Sequence, residues 1–111
     1  MEGVIVSRFK YTDFHERVLL LNISAPTEDM QLYQTLDFLD QTLLEAEDAR
    51  KAGNLAAERE EAKNAVTAAK AALEQFGVLG LEEPKELVEI FRELVSRRNE
   101  LDPVQSPNRS R

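Results

Sequence analysis

The chain has 111 residues, room for one ordinary domain but not for two. It is 42% hydrophobic and 32% charged, enough apolar matter for a packed core and too much for wholesale disorder. Acids outnumber bases 21 to 14 for a net charge of −7, and there is no Cys, no Trp and a single His. This inventory excludes a disulfide framework, a thiol nucleophile, a Cys-based zinc site and an iron–sulfur cluster. The net acidity argues against direct binding of nucleic acid, which needs clustered Lys and Arg.

The first residues, Met1-Glu2-Gly3-Val4, carry an acid where a signal peptide carries bases. The longest aliphatic run, Val18–Leu21, falls far short of the roughly 20 residues that cross a membrane. A cytoplasmic or virion location is therefore expected, without secretion and without a membrane. Two glycosylation sequons, Asn22-Ile23-Ser24 and Asn108-Arg109-Ser110, carry no weight without export.

In chain order, residues 1–26 read as a β-hairpin or arm. Val4 to Tyr11 alternates, with Ile5, Phe9 and Tyr11 on one side and Arg8 and Lys10 on the other. Arg17 to Ile23 is a β-branched and aliphatic run, and Thr12-Asp13 between them supplies turn chemistry. The competing reading is a short helix after Thr12 with Phe14, Val18 and Leu21 along one face. A lone two-stranded hairpin is marginal in water, so it would have to lie on the helices.

Residues 27–102 read as a three-helix bundle with helices over about 28–52, 55–76 and 84–101. Thr27 is the expected N-cap of the first, with Glu28 and Asp29 in its first turn. Leu32, Leu36, Leu39, Leu43 and Ala46 advance in steps of four and three. Past Gly53 the apolar phase shifts by two positions, to Leu55, Arg59, Ala62, Val66, Ala69, Leu73 and Phe76. A single straight helix would carry these seams on opposite sides, so the chain should reverse at Gly53-Asn54 into an antiparallel αα-hairpin. The first arm offers large side chains and the second many alanines, a pairing that lets helix axes approach.

Gly77 and Gly80 should end that unit, and Pro84 suits the first turn of the third helix. Leu87, Val88, Ile90, Phe91, Leu94, Val95 and Leu101 form a wide apolar stripe there, and Asp102-Pro103 stops it. Residues 103–111 read as a tail, flexible or held by a partner. Taken together, the expected fold is α+β, mainly α: an αα-hairpin plus a third helix, an N-terminal β-hairpin or arm, and an extended C-terminal tail.

Nothing in this pattern assembles a catalytic set. His15 lies between Asp13 and Glu16, but no second histidine completes a metal site, and the many carboxylates should face solvent. No Glu-x-x-His motif, phosphate loop or nucleophile elbow occurs. No catalytic residue, cofactor or metal ligand is therefore assigned. Candidate interface residues are Phe38, Leu87, Ile90, Phe91, Val95, Arg97, Arg98, Arg109 and Arg111. Phe38 stands out because it lies about 200° from Leu36, in a column with Gln31, Gln34, Gln41 and Glu45. Either the N-terminal hairpin covers it or it anchors an interface.

Charge is uneven along the chain. Residues 28–76 hold eleven acids and five bases, whereas residues 97–111 hold four arginines against Glu100 and Asp102. A positive tail could dock on an acidic neighbour, including the hairpin of an identical subunit. The expected function is that of a non-enzymatic structural or adaptor subunit. It would pack with protein partners as a homo-oligomer or in a multi-subunit assembly. By architecture alone, small helical proteins with extended termini resemble tailed-phage head–tail connectors and other virion components. A regulatory adaptor or chaperone holding a partner peptide on its helical face is the alternative.

Overall fold

A computed structural model describes residues 10–24 and 29–101, and these are helical throughout apart from the connections. Helix α1 spans Tyr11–Ser24, α2 Met30–Lys51, α3 Leu55–Val78 and α4 Lys85–Leu101. Consecutive helices pack side by side, α1 on α2, α2 on α3 and α3 on α4, and a narrower α1–α4 contact closes the ring. The result is an up-down-up-down four-helix arrangement, the expected outcome of short connections between amphipathic helices.

Among the described residues there is no strand, so the expected β-hairpin is overturned and the fold is all-α. The segment read as a second strand, Arg17 to Ile23, lies inside α1, as does Tyr11, where the first was to end. The rest of that first strand falls outside the described residues. The physical reason lies in the phase. Tyr11, Phe14 and Val18 are buried three and four residues apart, whereas Leu19 and Leu20 in the aliphatic run face solvent. Short apolar runs do not distinguish strand from helix by themselves, and here an available helical surface decides.

The start of α2 also differs from expectation. Its N-cap is Asp29, whose carboxylate accepts from the Leu32 N–H at 3.0 Å. Thr27, the residue expected there, lies outside the described residues. At the other end Gly53 adopts φ +74°, the Asn54 N–H donates to the Ala49 carbonyl, and the Gly53 N–H donates to Arg50. These two bonds make a Schellman stop. Asn54 then begins the next helix, its side chain accepting from the Ala57 N–H at 3.1 Å.

The same stop ends α3, with Gly80 at φ +74°, Leu81 donating to Phe76 and Gly80 to Gly77. Gly77 is therefore helical, and only Gly80 terminates. The core runs the length of the ring. It combines Tyr11, Phe14 and Val18 with the α2 leucines, the α3 alanines with Phe76, and Leu87, Ile90 and Leu94 of α4. Leu55, placed on the core seam by its spacing, is instead 62% exposed beside the turn.

Candidate functional site

Two places carry chemistry or recognition potential. The first is a polar cluster where α1 and α3 begin and α2 and α4 end. There the Tyr11 N–H, one of the donors that a helix start leaves unpaired, donates to Glu47 Oε1 at 3.0 Å. The Tyr11 hydroxyl donates to Glu58 Oε2 at 2.7 Å. Arg97 reaches the same carboxylate oxygen through Nε at 3.0 Å and Nη2 at 2.9 Å. Arg50 clamps Glu47 through Nε at 3.2 Å and Nη2 at 2.6 Å.

Glu47 and Glu58 are 3% and 1% exposed, so the expectation that these carboxylates face solvent is overturned for both. Buried charges persist only when paired and hydrogen-bonded, and both are. Burial would raise the Glu47 carboxyl. The Arg50 guanidinium, the Tyr11 N–H and the Lys51 charge outweigh it and hold the group below its ordinary value. Burial and then Glu58 push the Tyr11 phenol well above its usual range. Burial works against the Arg97 charge, but Tyr11 and Glu58 more than offset it and raise the guanidinium. The effect is a hydrogen-bonded cluster that ties all four helices together. Phase could have revealed it: Glu58 continues the seam of Ala62, Ala65, Ala69, Ala72 and Phe76.

Of the other titratable groups, His15 pairs through Nδ1 with Asp40 of α2, not with its sequence neighbours Asp13 and Glu16. Arg17 bridges to Glu86 at 2.8 Å and Glu89 at 2.9 Å, linking α1 to α4. Among the described residues no three His, Asp or Glu side chains come together in a way that could hold a metal ion. Every buried side-chain nitrogen and oxygen there has a hydrogen-bond partner.

The second place is a groove of about 410 Å³ between α2 and α3. Gln31, Gln34, Thr35 and Phe38 form one wall and Thr67, Ala68 and Ala71 the other. Phe38 is 49% exposed there. None of these seven side chains is charged, on a chain nearly one-third charged.

The remaining interface candidates scatter. Leu87 and Ile90 are fully buried in the bundle core, and Phe91 and Val95 pack partly against it. Arg97 belongs to the buried cluster, and it also reaches Glu100 at 3.2 Å. Arg98 donates to Asn99 at 3.3 Å. Arg109 and Arg111 lie outside the described residues. The apolar stripe of α4 is therefore committed largely within the chain, and Phe38 is the candidate that presents an aromatic ring to solvent. Of the N-terminal segment expected to cover it, residues 11–24 form α1 and leave Phe38 49% exposed, and residues 1–9 lie outside the described residues.

Among the described residues no helix is long and apolar enough to cross a membrane. Compared with protein-family models, curated proteins and solved structures, the chain matches none.

Proposed function

We propose that this protein is a non-enzymatic structural or adaptor subunit that works by packing its helical surface into a larger protein assembly. The observation that carries this reading is Phe38, half exposed in an uncharged groove between two long helices. A large aromatic in the wall of a charge-free depression has the composition of an interface core, where charged residues are depleted and aromatics enriched. The buried ionisable groups support the same reading, because their hydrogen bonds are spent on joining helices.

A virion subunit, a regulatory adaptor and a peptide-holding chaperone would each use such a face; the first should assemble by itself beyond a dimer, whereas the other two should stay a monomer or dimer until a partner is added. The full-length chain should exceed its monomer mass of 12.6 kDa at micromolar concentration. A chain truncated after Asp102 then reports whether the positive tail contributes. Assembly of the full chain alone makes the tail a docking arm, and assembly of both makes the helical face sufficient. A strict monomer in both cases overturns the reading.

A further inference from the structure

We infer that α1 has a second seat one helical turn nearer the start of α2, and that the Tyr11 cluster is the latch that holds it in the first. The inference concerns a movement within the chain and does not rest on the assembly reading above.

The seat of α1 repeats along its length. Helix α1 packs on α2 with Tyr11, Phe14 and Val18 buried, and the α2 leucines recur at positions 32, 36, 39 and 43. A helix moved by one turn, about 5.4 Å, meets leucines again. The ion-paired links repeat as well. His15 pairs with Asp40, and three residues earlier on α2 stands Asp37. Asp37 already interacts within the chain, and a carboxylate has acceptor sites for a second partner. Arg17 pairs with Glu86 and Glu89, and one turn earlier stand Glu82 and Glu83, both exposed. A shift in the opposite direction would set His15 level with Leu43 and Leu44, so the repetition favours one direction only.

The shift also has room. Counted from the Tyr11–Glu47 and His15–Asp40 contacts, Ser24 is level with residues 31–34 of α2, and α2 runs on past it to its Asp29 cap. The connection between them, residues 25–28, can span about 13 Å, more than the shift requires.

The cluster does not repeat. In the present seat the Tyr11 N–H donates to Glu47 and its hydroxyl to Glu58, which Arg97 also holds. One turn away Tyr11 would be level with Leu43 and Leu44 of α2 and Ala62 of α3, whose side chains accept neither bond. Glu47 and Glu58 are the acids buried among the described residues, so the distinction between the two seats falls on them. Fixing one register among repeating apolar contacts is the best-attested use of a buried polar group. A one-turn shift of an element past its packed neighbour is, in turn, a known form of two-state switch. Here it would carry the exposed Leu19 and Leu20 about 5 Å along the bundle, so the latch sets which surface the protein presents.

The chain has no cysteine, so Glu16→Cys with Val78→Cys places two spin labels for a distance measurement by double electron–electron resonance. Both positions are exposed, and Val78 ends α3 on the side toward which α1 would move. With the cluster intact a single distance is expected. Tyr11→Phe, Glu47→Met, Glu58→Met and Arg97→Met together remove the latch, and leave the part-exposed Arg50 to water. This variant should keep its helical circular dichroism and add a second distance, shorter by up to about 5 Å. Tyr11→Phe alone should show the shorter distance as a minor population, and it decides the matter if the fourfold variant does not fold. Adding Asp37→Asn, Glu82→Gln and Glu83→Gln should lower the shorter population several-fold. A single distance in every variant that folds overturns the inference. So does a shorter distance indifferent to those three substitutions, or two distances with the cluster intact.

Discussion

Glu47 and Glu58 lie inside this bundle, 3% and 1% exposed, and the first of them couples its stability to pH. Each is a carboxylate buried at a helix end, and each is held by an arginine and by Tyr11. For Glu47 the folded value lies below the ordinary one, so ionisation favours the folded chain. Its contribution is full above the unfolded carboxylate range, about 4.3 for a glutamate, and is lost as pH falls through the depressed folded value. Urea midpoints measured from pH 6 to pH 3 should therefore fall, and Glu47→Gln should flatten that acid limb. An unchanged limb in the variant would remove Glu47 from the account. In the sequence these acids read as solvated by charge type, which by itself says nothing of which helical face they occupy. Their helical phase pointed inward, but only neighbouring helices could supply Arg97 and Tyr11 to make burial tolerable.

At the scale of elements, the ends of helices were legible where backbone chemistry is local. Gly53 needs a left-handed conformation that a side chain makes costly, so the α2–α3 reversal is visible in residues alone. Gly77 looks identical in sequence but is helical, and a Cβ placed on it meets nothing within 4 Å. The two glycines should therefore respond with opposite sign. Gly53→Ala should destabilise by about 1 kcal/mol, and Gly77→Ala should stabilise by about 0.5–1 kcal/mol, as read by denaturant unfolding. Equal signs would show that the α3 stop is misplaced. Helix α1 was less legible, because Val18–Leu21 satisfies a strand pattern as well as a helical one. Its register was settled by burial of Tyr11, Phe14 and Val18 against α2, a contact that no local pattern encodes.

At the scale of the whole molecule, ion pairs from Arg17 and from Arg97 link α4 to the other helices among the described residues, and they differ in environment. Arg17 on α1 meets Glu86 and Glu89, which are 59% and 65% exposed in their side chains. Arg97 on α4 meets Glu58, whose side chain is 1% exposed. Water screens the first link and not the second. Arg17→Ala should therefore cost about 0–1 kcal/mol and lose its effect in high salt. Arg97→Ala should cost about 3–5 kcal/mol, because it leaves the Glu58 carboxylate buried with only the Tyr11 hydroxyl. Paired urea titrations at low and high salt compare them, and similar costs would contradict the burial of Glu58. The groove at Phe38 belongs to this scale too. The column of Gln31, Gln34 and Phe38 was readable on α2, but the small wall of Thr67, Ala68 and Ala71 opposite it was not.

The sequence by itself determined helical phase, the Gly53 reversal, the large-against-small pairing of α2 with α3, and the oddity of Phe38. All of these follow from spacing and backbone conformation, which act over a few residues. Only the tertiary structure decided that residues 11–24 are a fourth helix, that Glu47 and Glu58 are interior, and that the α4 stripe is committed within the chain. Those outcomes depend on which surfaces meet across 36 to 72 residues of separation, as in Tyr11 with Glu47 and Arg17 with Glu89. Burial at such contacts, not local preference, selects among conformations that the chain would otherwise hold nearly equal.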